Sequence, residues 1–270
     1  MRDAGLSIGE ADLSARLLAE HVLGWTRERL LTDGWGDEPD GFATHFDALV
    51  VRRAAREPLP YIVGRREFWH LDFEVTPAVL IPRHETELIV EATLALVPSG
   101  ANATIADLCT GCGCVAVAIA RERPAARVIA TDVSEEALEV ARRNADRLGV
   151  GDRVEIRHGD LLDPIDMTCD VIVANPPYVV AGAAPALQPE VRDHEPDVAL
   201  FGGEDGLRLV ERLVRDAPAR IRSGGTLIFE FGYGQDEEVE HMISESPELT
   251  MVDIKRDLQG IARTAVARRR

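Results

Sequence analysis

From residue 104 onward the sequence alternates between apolar runs of strand length and longer amphipathic runs: 104–108, 115–121, 127–131, 135–148, 154–157 and 171–174. Strands joined by helical crossovers lie parallel and need cover on both faces, so the pattern predicts a doubly wound α/β, Rossmann-like domain with a parallel sheet. A helix at 207–221, a strand at 226–231, a helix at 236–244 and β-rich runs at 249–255 and 262–267 bring the sheet to seven strands. Such sheets bind ligands outside the carboxyl ends of their strands, so the residues that follow each strand are the candidates for chemistry.

The first part of the chain reads differently. Ser7-Ile8-Gly9-Glu10 has the form of a capping box, and Leu13, Leu17, Leu18 and Val22 follow at helical spacing. A short helix at 26–31, a break at Gly34-Trp35-Gly36 and a third helix carrying Phe42, Phe46, Leu49 and Val50 complete a small bundle that ends near Glu57-Pro58. Such a bundle serves equally as a stabilising appendage or a partner-recognition module. The stretch 58–64 breaks the helical pattern, 68–76 alternates as a strand before Pro77, and 79–87 leads into a helix at 88–97 stopped by Pro98-Ser99-Gly100. The expected organisation is a helical domain at 1–72, a β-hairpin-like linker at 73–85 and the α/β domain at 86–270.

Composition removes several classes of function. With 270 residues and 46% hydrophobic side chains the chain can bury a sizeable core. A formal net charge of -17 opposes non-specific binding to nucleic-acid phosphates, and Arg268-Arg269-Arg270 is too short a basic run to reverse it, reading as a solvated tail. No run approaches the ~18 apolar residues of a membrane span, and Met1-Arg2-Asp3-Ala4-Gly5 lacks a signal pattern, so a cytoplasmic protein is expected. Cys109, Cys112 and Cys114 crowd one loop with Cys169 far away, which does not make the paired spacing of a structural zinc site; reduced, semi-apolar loop residues are expected and no metal. His84 has no second His or Cys at ligand spacing and reads as an exposed residue at a helix entry.

Three strand ends carry acids. Asp107-Leu108-Cys109-Thr110-Gly111-Cys112-Gly113 joins the first strand of the sheet to its helix, Asp132 closes the next, and Gly159-Asp160 follows the third. Glycines in such a loop let a ligand approach the backbone, and Asp132 suits a ribose diol. A dinucleotide dehydrogenase therefore competes. Against it, an acid precedes the first glycine by several residues, and repeated carboxylates suit a ligand with a ribose, an amine and a positive charge but no pyrophosphate, as in S-adenosylmethionine. The fourth strand ends in Asn175-Pro176-Pro177-Tyr178, where two prolines stiffen the backbone and leave carbonyl acceptors beside an amide and an aromatic ring, a grip for a planar NH2 group.

Taken together, these motifs resemble the class I S-adenosylmethionine-dependent methyltransferases, and within them the family that methylates the side-chain amide nitrogen of a glutamine in peptide-chain release factors. The resemblance rests also on Tyr61-Ile62-Val63-Gly64, Ile81-Pro82-Arg83-His84-Glu85-Thr86-Glu87, Glu195-Pro196, Ala199-Leu200, 203–207, and Glu230-Phe231-Gly232 with Gln235. It implies S-adenosylmethionine as methyl donor and S-adenosylhomocysteine as product. The implied target is the glutamine of a release-factor Gly-Gly-Gln motif, held with the help of the N-terminal helices. Cofactor contacts are implied at Cys109, Thr110, Gly111, Cys112, Gly113, Asp132, Asp160, Leu161 and Asn175. The substrate amide falls to Asn175, Pro176, Pro177 and Tyr178, with Asn175, Pro176 and Tyr178 catalytic: the Asn175 side-chain oxygen and the Pro176 carbonyl take the two amide hydrogens while Tyr178 packs on the amide plane. The chain departs from the family at Cys109, where glycine is usual, at Cys112, where a small hydroxyl residue is common, and at Leu161, where an aromatic is frequent. An adenine-N6 methyltransferase acting on DNA or RNA, with the same grip on an exocyclic NH2, is the alternative.

Overall fold

The computed structural model describes Met1, residues 5–34 and residues 36–270, and in it the chain divides into two units, Met1–Arg65 with Leu187–His194 and Arg66–Ala186 with Glu195–Arg270. Trp35, in the middle of the expected break at 34–36, and the start Arg2-Asp3-Ala4 lie outside the described residues, while Gly34 caps the helix that ends at Asp33. In the smaller unit, helix α1 (Ile8–Leu23) opens on the predicted capping box: Ser7 Oγ accepts the Glu10 N–H at 3.3 Å and the Glu10 carboxylate accepts the Ser7 N–H at 2.9 Å. Helices α2 (Arg27–Asp33) and α3 (Phe42–Ala54) follow, and α3 packs on α1, where Leu18 is fully buried. The stretch 58–64, read from sequence as a break, forms a short helix α4 (Leu59–Val63). Pro60 lies in its first turn, where a missing N–H costs nothing, so proline starts this helix rather than ending one.

Residues 187–194, which sequence did not assign to this unit, are tied into it by charge. Arg53, buried between helices, donates to Ser14 Oγ, to the Glu57 carbonyl and to Glu190 Oε1 at 2.9 Å, while Arg56 reaches Glu190 Oε2 at 2.6 Å. Burial raises the Glu190 carboxyl, but hydrogen bonds from its own backbone, Arg56 and Arg53 outweigh it and hold the group below the ordinary carboxylate range.

The larger unit is ordered by a seven-stranded sheet. Its strands are β1 (Thr104–Leu108), β2 (Arg127–Asp132), β3 (Val154–His158), β4 (Cys169–Ala174), β5 (Ile221–Glu230), β6 (Leu249–Arg256) and β7 (Ala262–Arg269). Their spatial order is β6-β7-β5-β4-β1-β2-β3. Strands β1 to β5 pair in parallel, as the crossovers require, but β7 runs antiparallel to both neighbours because β6 and β7 are joined by a short turn with no helix between them. Helices α5 (Glu87–Leu96), α6 (Cys114–Glu122) and α7 (Glu135–Arg147) contact one another in succession across the sheet. On the other face, α8 (Arg208–Asp216) and α9 (Asp236–Glu245) bury Val210, Leu213, Val239 and Ile243 against Ala106, Leu108, Ile172, Ala174, Leu227 and Phe229. The intervening strand residues Ile105, Val128, Val171, Val173 and Ile228 are equally buried, so each central strand is apolar on both faces.

Three further boundaries differ from the sequence reading. The β-hairpin is formed by Arg65–Phe68 and Leu71–Glu74, ahead of the 73–85 linker where it was expected. Its two-residue turn, Trp69-His70, takes positive φ at both positions (50° and 57°), a conformation usually signalled by Asn-Gly and hidden here in what reads as one strand. The helix expected at 207–221 ends at Asp216, and a 3-10 turn, Ala217–Arg220, containing Pro218 leads into β5. The expected solvated tail is structured: Arg268 and Arg269 belong to β7, and Arg269 donates to the Ile221 carbonyl while Arg270 reaches the Glu248 carbonyl and Thr250 Oγ1.

One buried side chain braces the turn after β1. Asn144 in α7 accepts the Glu74 N–H (2.8 Å) and donates to the carbonyls of Glu74 (3.0 Å) and Cys112 (2.9 Å), so its amide ties the hairpin to the glycine loop. Asn144→Ala strips these backbone groups of their partner. At ~1 to 3 kcal/mol per buried unsatisfied group, with partial relief by water, the expected loss is about 3 kcal/mol, read as a lowered denaturant midpoint in urea unfolding.

Candidate active site

Parallel pairing brings the functional loops to one edge. Leu108 lies opposite Thr131 and Ala174, so the segments that follow β1, β2 and β4 leave the sheet side by side, at the point where strand order reverses. A cavity of about 290 Å³ opens there. Of the residues expected from sequence, Cys109, Thr110, Gly111, Cys112, Asp132, Asp160, Leu161, Asn175 and Pro177 line it, whereas Gly113, Pro176 and Tyr178 do not.

The glycine loop turns sharply. Cys109 has φ 57°, the left-handed region that costs an L side chain ~1 to 2 kcal/mol and costs glycine almost nothing, which is a physical reason for glycine to be usual at this position. Gly113, at φ 82°, opens α6 so close to α7 that an added Cβ would lie 3.1 Å from Ala141 Cβ; its role is to let two helices meet.

The acids differ in their surroundings. Asp107 is buried at 2% exposure, and its Oδ2 accepts the Thr110 hydroxyl (2.6 Å) and the Ala116 N–H (3.1 Å). Burial dominates and raises its pKa to about 7, against those two hydrogen bonds and with a further push from Asp132. Asp132 accepts the Gly111 N–H (2.9 Å) on Oδ2 and the Ser134 N–H (3.0 Å) on Oδ1; burial raises its pKa, opposed by these amides. Asp160 is met by Arg212 of α8, whose guanidinium nitrogens lie 3.2 and 3.0 Å from its two carboxylate oxygens. Arg212 lines the cavity, and sequence had no signal for it, since one more arginine on an exposed helix face is unremarkable.

Asn175 follows Ala174 directly. Its Nδ2 donates to Thr86 Oγ1 at 3.0 Å, and among the described residues its Oδ1 accepts no hydrogen bond. Thr86 in turn donates to Glu230 Oε2 at 2.7 Å, and the Tyr178 hydroxyl donates to Glu230 Oε1 at 2.8 Å. Glu230 is buried, which raises its pKa against the pull of the Thr86 and Tyr178 hydroxyls. Tyr178 thus points its hydroxyl at a buried carboxylate, and burial with Glu230 beside it pushes the phenol well above its ordinary range. On the same rim, Arg83 lines the cavity and pairs with Glu195, whose Oε2 also accepts the Ile81 N–H. His84 is exposed, as expected, and pairs its ring with Arg66 Nη2 at 3.1 Å. Thr86, Glu230 and Glu195 stand inside motifs visible in the sequence, but contacts more than a hundred residues apart have no local signal.

Comparison with known proteins agrees along the length of the chain. Residues 1–64 match the family described as PrmC N-terminal domain, and residues 85–189 match the Methyltransferase small domain. The release factor glutamine methyltransferase of Cereibacter sphaeroides is 43% identical over 99% of this chain and 94% of its own length. That of Mycolicibacterium smegmatis is 40% identical over 98% of this chain and 93% of its own. Among solved structures, a methyltransferase from Pyrococcus furiosus superposes with TM-score 0.57 at 19% identity, covering 82% of this chain and 96% of its own. The ribosomal protein L11 methylase of Lactobacillus delbrueckii does so with TM-score 0.52 at 22% identity, covering 70% and 80%. The last two are likenesses of fold.

The turn at Pro177-Tyr178 is held from behind. Gln235 accepts the Gly232 N–H (2.7 Å) and donates to the carbonyls of Tyr178 (3.2 Å) and Asp205 (3.3 Å). Gly206, at φ 78°, lies so close that an added Cβ would stand 2.2 Å from the Tyr178 carbonyl oxygen and 2.7 Å from Gln235 Nε2. Gly206→Ala therefore combines backbone strain with overlap against main chain. The expected cost is about 2 kcal/mol or more, with a lowered thermal midpoint and a displaced Tyr178 in the variant's crystal structure.

Proposed function

The chain belongs to the release factor glutamine methyltransferases, and on that premise we propose that its cavity holds S-adenosylmethionine while Asn175-Pro176-Pro177-Tyr178 holds the glutamine side chain. The enzyme transfers a methyl group from S-adenosylmethionine to the side-chain amide nitrogen of a release-factor glutamine. The donor set fits this cofactor: buried carboxylates for a cation and a ribose stand beside apolar surface from Cys109, Val115 and Leu161. When bound, the group supplies an electrophilic methyl on a sulfonium.

The protein's share is binding and orientation. Asp132, already fixed by the Gly111 and Ser134 amides, has lone pairs left for the ribose hydroxyls. The turn of Thr110, Gly111 and Gly113 lies along the methionine part, and Leu161, with Asp160 held by Arg212, borders the adenine. An amide nitrogen is a poor nucleophile because its lone pair is delocalised into the carbonyl. Asn175 Oδ1 and the Pro176 carbonyl accept its two N–H groups, aim the lone pair into the cavity and disperse the positive charge that builds on nitrogen. Tyr178 supports the turn through its ring and its tether to Glu230. The observation that carries this reading is Asn175 itself, its nitrogen engaged and its oxygen not, in the lining of the same cavity as the acids.

We assign recognition of the protein substrate, at its Gly-Gly-Gln motif, to the helical unit. The net charge of -17 supports a protein rather than a nucleic-acid substrate, and among the described residues no helix is long and apolar enough to cross a membrane. A cytoplasmic site of action follows from the substrate.

Asn175→Ala is expected to abolish most methyl transfer to purified release factor, measured with labelled cofactor, while calorimetric cofactor affinity changes little. Asp132→Ala is expected to do the reverse first, weakening cofactor binding ~10- to 100-fold through loss of charge-assisted hydrogen bonds. Turnover near normal in the first variant rejects the proposed role of Asn175.

The Asp107 carboxyl adds a pH dependence. Its folded pKa of about 7 exceeds the 3.8 of an unperturbed aspartate, so its contribution to stability is full below 3.8 and is lost as pH rises through 7. A cation in the cavity favours the carboxylate. Cofactor affinity is therefore expected to strengthen from pH 6 to pH 8 with release of a fraction of a proton, seen by calorimetry in buffers of different ionisation enthalpy and absent in Asp107→Asn.

A further inference from the structure

We propose that Thr86 and Glu230 are positioning residues for Asn175, their hydrogen-bond chain deciding which end of its amide faces the cavity. The proposal rests on the reading that Asn175 accepts a hydrogen bond from the substrate amide.

The two ends of an asparagine amide have almost the same shape and opposite hydrogen-bonding sense. Which end points where is settled by the partners. Thr86 Oγ1 lies 2.7 Å from Glu230 Oε2 and 3.0 Å from Asn175 Nδ2. A hydroxyl has one proton and a carboxylate has none, so the Thr86 proton goes to Glu230. Only lone pairs are left on Thr86 for Asn175, and the end that satisfies them is the NH2. Oδ1 is thereby turned away from Thr86, free to accept.

The other oxygen of Glu230 takes the Tyr178 hydroxyl, so both carboxylate oxygens are met by donors and the chain has one polarity, from Tyr178 and from Asn175 through Thr86 into Glu230. Thr86 and Glu230 are 3% and 1% exposed, which keeps bulk water from supplying a substitute donor. If the amide were reversed, its NH2 would confront the NH2 of the glutamine, two donors with no acceptor between them. The three residues come from distant places: Thr86 just before α5, Asn175 just after β4 and Glu230 at the end of β5. Nothing in the proposed chemistry uses Thr86 or Glu230 directly, which leaves orientation as their contribution.

Thr86→Val removes the hydroxyl at nearly constant shape, and Thr86→Ser keeps it. With release factor as substrate, Thr86→Val is expected to lower kcat ~10- to 100-fold, the size of a misoriented reacting group, while KM for the release factor and the cofactor dissociation constant stay within ~3-fold. Thr86→Ser is expected to restore kcat to within ~3-fold of the native enzyme. Glu230→Gln, whose amide can donate back to Thr86 and reverse the chain, is expected to reproduce the fall in kcat, and it carries the test if Thr86→Val does not fold. Native kcat in Thr86→Val overturns the proposal. So does a serine variant as slow as the valine variant with thermal midpoints lowered in proportion, the mark of a packing role only. Asn175→Ala, run alongside, separates the two layers: native turnover there means the reading of Asn175 itself fails, whereas an inactive Asn175→Ala with an active Thr86→Val removes the positioning role alone.

Discussion

The parallel ladder of β4, β1 and β2 is the constraint on which the rest depends. Its register sets Leu108 level with Thr131 and Ala174, and a slip of one residue would move every side chain of a strand to the opposite face. Because these strands are apolar on both faces, a slip is opposed less by exposure of a polar side than by mismatched packing against α5, α6 and α7 on one side and α8 and α9 on the other. With the register held, Cys109, Asp132 and Asn175 all emerge at the same height. The site is a consequence of that alignment, since its groups come from loops that share no sequence neighbourhood.

Carboxyl groups are buried at that edge of the sheet. Asp107 and Glu230 are both nearly inaccessible, and each is stabilised by hydroxyl or amide donors rather than by a direct arginine partner. Such an arrangement is expensive in an empty site and favourable beside a positive charge. Asp160 shows the contrast, with its partly exposed carboxylate paired to Arg212. The acids are therefore not equivalent: Asp107 and Asp132 are held by hydroxyl and amide donors, and Asp160 by an arginine.

Much of the fold was legible in the residues. The alternation from 104 onward, the capping box at Ser7 and Glu10, and the order of the strand ends each have a local physical cause, and the structure follows them. The misreadings also have causes. Proline reads as a breaker at 58–64, where it begins a helix, and the Trp69-His70 turn carries none of the residues that advertise positive φ. The arginines at the end of the chain looked like a solvated tail because composition says nothing of β7 pairing on both sides. The segment 187–194 gave no hint that it packs with α1 to α4, because the clamp of Arg53 and Arg56 on Glu190 spans more than a hundred residues.

By itself, then, the sequence determined the class of fold, the edge of the sheet that carries chemistry and the residue types gathered there, because periodicity, glycine placement and strand-end acids act over a few neighbouring positions. Only the tertiary structure decided what those residues do with one another: that Arg212 pairs with Asp160, that Tyr178 turns its hydroxyl toward Glu230, and that Thr86 stands between Glu230 and Asn175. A hydrogen bond depends on positions to within a few tenths of an ångström and on which partner holds the proton. Neither is specified until distant segments are packed together.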